Sequence, residues 1–271
     1  MSERDRRVER MIADLHTHLF GPEGAPAVLA IHGLTGHGKR WGVLAENHLP
    51  ELRVVAPDLL GHGHSPAAPP WRIADHATAT AAAVEAHVPA DRRPVVVVAH
   101  SFGSTVALEL AHTRPDLVRA LVLLDPAQGL PPERALELAQ GAMAHRGYPD
   151  AQAAGEAKRA EGWGEVPDDV LARELDDHLV HNGDGVDWRV CLPAAITAWS
   201  EMARPAVLPP EGVPTHIVVA ERVQPPFVTP DFLARCADER GDSVTVHHVD
   251  TEHMVPFLAP EKVAELVSAV V

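Results

Sequence analysis

The sequence predicts an α/β fold built on a mostly parallel, doubly wound sheet. Three observations carry that reading. Short runs rich in Val, Ile and Leu recur along the chain, at residues 27–31, 53–56, 95–99, 120–124, 216–220 and 244–249. Several are continuously apolar rather than alternating, as strands covered on both faces require. The Ala-rich stretches between them, such as 74–87 and 104–113, are long enough for crossover helices that return the chain to the same sheet edge. Residues 9–21 are expected to add antiparallel strands at the edge.

From residue 129 to 204 no strand-like run is read. The stretch has helical character and holds Trp163, Trp188 and Trp199. It falls between the fourth and fifth parallel strands. An insertion there would lie over the carboxyl ends of the strands, where open α/β sheets bind ligands. The expected organisation is a core of residues 1–128 and 205–271 with a helical lid at 129–204.

With 271 residues, 46% hydrophobic and 23% charged, the chain can bury a sizeable core without staples. The formal net charge of −15 argues against a nucleic-acid partner, since phosphate binding needs a basic face. Two cysteines, Cys191 and Cys236, do not make a disulfide scaffold and suit a reducing compartment. The charged start, Met1-Ser-Glu-Arg-Asp-Arg-Arg, lacks the apolar segment of a secretory signal. No apolar stretch approaches the ~20 residues of a membrane span. These features predict a cytoplasmic protein without a membrane span; they leave its oligomeric state open.

The segment Val95-Val-Val-Val-Ala99-His100-Ser101-Phe102-Gly103 runs an apolar strand straight into a serine and then a helix. Small residues stand two positions either side of the serine, with Ala99 where the first glycine of the nucleophile-elbow pattern is usual. A bulky side chain at 99 or 103 would strike the neighbouring strand or helix. The tight turn lifts the Ser101 hydroxyl to a helix N-terminus, where the dipole favours developing negative charge.

With His32-Gly33-Leu34-Thr35-Gly36, Pro57-Asp58-Leu59-Leu60-Gly61-His62-Gly63-His64-Ser65, the Ser101 elbow and a late His253 in that order, the chain resembles the α/β-hydrolases along nearly its whole length. It is most similar to small actinobacterial carboxylesterases and lipases. The resemblance implies an oxyanion hole from the backbone N–H groups of Leu34 and Phe102. It implies His253 as the general base, following the last strand across a short loop. His32, Gly33, His100 and Gly103 would brace the site, as would the Asp58–Ser65 segment.

The acid departs from the family pattern. Val223 stands where the aspartate after the penultimate strand belongs, in Ala220-Glu221-Arg222-Val223. Asp125, ending the strand after the nucleophile unit, is the best substitute, with Glu221, Asp250 and Glu252 behind it. The order Ser101, Asp125, His253 is that of the family.

The implied chemistry is cleavage of a small carboxylic ester with an apolar acyl group, through an acyl-enzyme, without cofactor or metal. Carbon–carbon bond hydrolysis and lactone opening use the same triad and stay open. Serine rather than aspartate at 101 disfavours chemistry through an alkyl-enzyme ester. Two readings of other classes also stand. Asp14-Leu15-His16-Thr17-His18, with His62 and His64, has the spacing of a metal-dependent hydrolase, since strand residues two apart share a face. The absent aspartate at 223 also fits a ligand-binding protein that keeps the fold without the activity.

Overall fold

The computed structural model describes residues 14–145 and 147–271. The first part of the expected edge segment, residues 9–13, lies outside them. The remainder forms one strand, β1 (Thr17–Phe20), antiparallel to β3 (Arg53–Pro57). The other strands of the main sheet are β2 (Ala27–Ile31), β4 (Val95–His100), β5 (Val118–Leu124), β8 (Thr215–Ala220) and β9 (Val244–Val249). They form a seven-stranded sheet in the order β1-β3-β2-β4-β5-β8-β9, parallel throughout except at β1.

The continuous apolar runs divide by parity between two cores. Leu29, Ile31, Val97, Ala99, Leu121 and Leu123 face one layer, and Val28, Ala30, Val96, Val98, Val122 and Leu124 the other. Alternation of Cβ direction along a strand forces this division, and so each residue must be apolar. The first layer is closed by α2 (Ile73–His87), α3 (Phe102–Thr113) and α8 (Pro230–Arg240), the second by α1 (Gly42–His48), α9 (Val255–Leu258) and α10 (Pro260–Ser268). All six residues of β4 are buried.

Between β5 and β8 the chain forms α4 (Pro132–Ala144), α5 (Ala151–Lys158), α6 (Asp168–His178) and α7 (Leu192–Met202). The expectation of no strand here is corrected. Leu179–Asn182 (β6) and Gly185–Trp188 (β7) pair as an antiparallel hairpin. Its two-residue turn begins at Gly183, with φ +61°, a conformation glycine adopts without a Cβ clash. Among the described residues no helix is long and apolar enough to cross a membrane.

A buried charge cluster seats this segment on the loop after β2. The Glu174 carboxylate on α6, only 3% exposed, is ion-paired with Arg40, sits 3.0 Å from His37 Nε2 and 3.8 Å from Lys158 Nζ. Burial works to raise Glu174, but Arg40, His37 and Lys158 overcome it and hold the carboxyl well below its usual range. Burial, helped by Arg40, lowers Lys158 from 10.5 to about 8, against the pull of Glu174. The Lys158 ammonium lies 4.2 Å from the Trp188 ring centre and 5.2 Å from that of Trp163.

Two outcomes are expected. Glu174→Ala strands three buried cationic or basic groups and should cost about 3–5 kcal/mol in urea denaturation; a loss below about 1 kcal/mol would mean that water reaches the cluster. Because unfolded Lys158 binds a proton that the folded form has released between pH 8 and 10.5, its contribution to stability grows as pH rises through that window. Relative to Lys158→Met, the wild type should therefore gain roughly 1–3 kcal/mol between pH 7.5 and 10.5. A constant difference between the two proteins across that range would contradict the lowered value.

Candidate active site

Ser101 stands between β4 and α3 with φ +53° and ψ −121°, a conformation costing a non-glycine residue on the order of 1–3 kcal/mol. The surrounding backbone fixes it there. Ser101 N–H donates to Leu124 O at 2.9 Å, extending the β4–β5 ladder by one residue, and Ser101 O accepts from Ser104 N at 3.0 Å. Phe102 opens α3, so its N–H is among the helix N-terminal donors without an intrahelical acceptor.

The loop after β2 presses directly on this turn. A Cβ on Gly103 would fall 2.5 Å from His32 O and 2.6 Å from Ile31 O. A Cβ on Gly33 would fall 2.9 Å from His100 Nδ1 and 3.0 Å from Ser101 Cβ. Glycine at both positions is what lets the loop carrying Leu34 come this close to the serine turn. The loop then turns through Thr35, with φ +58°, and Gly36 N–H closes onto Gly33 O at 3.0 Å.

His32 braces this loop. Its Nε2 accepts from Leu59 N–H at 2.9 Å, so the proton sits on Nδ1, which donates to Gly33 O at 2.7 Å. Burial, reinforced by the neighbouring His62, holds His32 well below the usual imidazole value. Burial also lowers His62 to about 4, and its Nδ1 lies 2.9 Å from Leu60 O. Asp58 receives the N–H groups of Gly38 at 2.7 Å and His64 at 2.8 Å. Burial opposes its charge, but His18 beside it, these N–H groups and His32 keep it anionic. The motif residues from Asp58 to His64 thus tie β3 to the loop after β2.

His253 follows β9 and lies in the same place. Its Nδ1 is 2.5 Å from Asp125 Oδ2, and its carbonyl accepts from His100 Nε2–H at 2.8 Å. The two imidazoles are 4.6 Å apart, which sets His253 against the residue preceding Ser101. Burial, then His253 itself, depresses His100 well below the usual value and keeps it a neutral donor.

Asp125 is 1% exposed and, like Ser101, has a positive φ, +44°. Its N–H donates to Val218 O at 2.7 Å, and its Oδ1 accepts from Ala220 N–H at 3.2 Å. The other carboxylates considered for this position have different surroundings. Glu221 is 3.3 Å from His248 on the surface, and Asp250 is 3.3 Å from Arg222. Glu252 lies near Gly164. Val223 packs in the core layer of α1 and α10.

Two neighbours of the histidine carried no signal in the sequence. Phe227, in a proline-rich loop, has its ring 4.6 Å from that of His253 and carries the Arg134 guanidinium 4.4 Å above it. Gly162 approaches from the segment between β5 and β8, close enough that a Cβ there would be 3.7 Å from His253 Cβ. Trp163 beside it packs on Met254 and on Phe257, 5.2 Å away.

The alpha/beta hydrolase family model matches residues 28–266. Lipase LipV of Mycobacterium tuberculosis is 45% identical over 258 residues, 95% of this chain and 97% of that protein. Among solved structures, E-2-(acetamidomethylene)succinate hydrolase superposes with a TM-score of 0.79 at 20% identity, covering 94% of each chain. A marine microorganism esterase superposes with a TM-score of 0.73 at 17% identity, covering 96% of this chain and all of that one. With the strand order, the Ser101 turn and the His253–Asp125 pair already in view, the chain belongs to the alpha/beta hydrolase family.

Proposed function

We propose that this hydrolase cleaves carboxylic esters through Ser101, His253 and Asp125 and an acyl-enzyme intermediate. The observation that carries the proposal is the contact of His253 Nδ1 with Asp125 Oδ2, in a histidine also held at its carbonyl by the residue before the strained serine. The similarity to Lipase LipV over nearly the full length of both chains supports an ester as substrate.

In this mechanism Asp125 accepts the Nδ1 proton of His253 and leaves Nε2 free as base. His253 takes the Ser101 proton as the hydroxyl attacks the ester carbonyl. The N–H groups of Leu34 and Phe102 hold the tetrahedral oxyanion, a contribution of roughly 2.7–4 kcal/mol per donor. His253 then protonates the leaving alcohol. The same histidine activates the water that releases the acid. Residues 129–204 act as the cap over this centre, and Gly162 among them comes close to His253. The partly exposed Phe227 ring beside His253 favours an apolar acyl group on the substrate.

A fluorophosphonate probe and a series of p-nitrophenyl esters test the reading. Wild type should be labelled and should turn over esters, whereas Ser101→Ala should lose labelling and at least roughly 10⁴-fold in kcat. Labelling without turnover of any ester would move the substrate to a lactone or a carbon–carbon bond; labelling of the Ser101→Ala protein would remove Ser101 as nucleophile.

Asp125→Asn keeps an acceptor for Ala220 N–H, so folding should be retained while kcat falls about 10⁴-fold through the wrong His253 tautomer. Near-wild-type kcat in that variant would take Asp125 out of the mechanism.

A further inference from the structure

We propose that His16, His18 and Asp58 form a binding site for one divalent late-transition-metal ion, for which Zn²⁺ is the natural probe. The site is separate from Ser101 and His253 and plays no part in the ester chemistry proposed above. The strand register builds it. Thr17 pairs with Pro57 and Asp58 N–H donates to His16 O at 2.8 Å, so Asp58 comes directly opposite His16. His16 and His18, two apart on an extended segment, present their imidazoles to the same face, with ring centres 4.7 Å apart. The carboxylate completing the histidine pair is therefore Asp58, brought in by β3, and not the Asp14 that adjacency in sequence suggests.

Three features point to a metal ion rather than to a plain polar surface. One ligand atom from each of the three residues lies within 4.8 Å of the others. His18 Nε2 and Asp58 Oδ1 are 3.3 Å apart, close to the ~3.4 Å that separates two ligands of a tetrahedral ion at 2.0–2.1 Å. Yet His18 Nε2 is buried and makes no hydrogen bond among the described residues. A buried imidazole nitrogen beside a carboxylate, at a distance but not an angle that makes a hydrogen bond, is satisfied by a shared cation.

The carboxylate is also pre-oriented. Gly38 N–H binds its Oδ1 and His64 N–H its Oδ2, leaving on each oxygen a lone pair for a metal. A cavity of about 400 Å³ adjoins the cluster, lined also by His64 and His178, so that a water or the His64 imidazole, whose ring is 5.1 Å from that of His16, can take the fourth position. Two imidazoles with a single carboxylate select Zn²⁺, Ni²⁺ or Cu²⁺ over Ca²⁺ and Mg²⁺, which require mostly oxygen ligands. An ion here would clamp β1 to the segment after β3, whose Leu59 N–H holds His32.

The test is a calorimetric titration of untagged, chelator-treated protein with Zn²⁺, alongside thermal unfolding. One equivalent should bind, and Tm should rise by several degrees at 100-fold excess over Kd. His16→Ala and His18→Ala should each weaken binding more than roughly 100-fold, since loss of a direct ligand exceeds the 10–100-fold effect of losing a supporting contact. His247→Ala is the control, because His247 Nε2 lies 3.1 Å from His216 Nδ1 in another histidine pair. Should His18→Ala fail to fold, the exposed His16 alone decides the matter. Absence of a one-equivalent transition, unchanged affinity in His16→Ala, or loss of binding only in His247→Ala would each overturn the proposal. Ester hydrolysis and fluorophosphonate labelling should survive chelation; that measurement bears on the serine mechanism and is independent of whether Zn²⁺ binds.

Discussion

The close approach between the loop after β2 and the turn after β4 is the constraint on which the candidate site depends. At Gly103 the chain passes within one missing Cβ of two carbonyls, Ile31 O and His32 O, and at Gly33 it comes almost as near to His100 and Ser101. Neither approach tolerates a side chain, and the serine between them is held in a backbone conformation that L-residues rarely adopt. That strain needs an offset. Complete burial of one valine is worth on the order of 1.5–3 kcal/mol, and β4 buries four before the chain reaches Ser101. The apolar strand and the strained turn are thus one device: the first holds what the second distorts.

The same construction recurs one strand along. Ser101 N–H bonds Leu124 O, and Asp125 N–H bonds Val218 O; each residue adds one rung to a parallel ladder and then turns away with positive φ. Parallel strands that end in this way project successive side chains over the same sheet edge, which is where ligands meet open α/β sheets. Asp125 can therefore reach a histidine carried by the loop after β9, across the intervening β8. Its second oxygen is occupied by Ala220 N–H, so the carboxylate is oriented from both sides. With a carboxylate already brought to His253 from the end of β5, position 223 is free to pack, and Val223 does so.

The elements that were legible in the sequence were those with one dominant physical signal. The runs at 27–31 and 244–249 match their strands end to end: the first because burial leaves no polar residue to blur the pattern, the second because Val244, Val246 and Val249 mark a strand whose other positions are polar. The apolar run at 120–124 is two residues shorter than its strand, since Arg119 is exposed and interrupts the run while the ladder continues to Val118. Helix α3 begins at Phe102 rather than Ser104, because the turn closes within a single residue. The β6–β7 hairpin is illegible as apolar periodicity although Asn182-Gly183 is a strong turn signal; its strands are four residues each and stand outside the main sheet, so they lack apolar continuity. Phe227 and Gly162 were beyond reach for a different reason. Their proximity to His253 is set by tertiary packing of two loops, and neither lies in a pattern with a period.

The buried charges at the seam behave differently from the apolar core. A buried ion pair is weak evidence for stability, because desolvation consumes most of the attraction. What Glu174 fixes is position: it meets Arg40, His37 and Lys158, groups drawn from both sides of the seam. Arg40 is the informative partner. While its guanidinium binds Glu174 on α6, it also donates to Thr35 O at 3.1 Å, in the turn that carries the Leu34 N–H proposed for the oxyanion hole. One planar, multiply donating side chain therefore joins α6 to that turn, a task for which the five fixed N–H groups of arginine are suited and a lysine is not. A displacement of α6 by even an ångström breaks one set of these bonds or pulls the turn with it, so the segment between β5 and β8 and the turn carrying Leu34 are mechanically coupled.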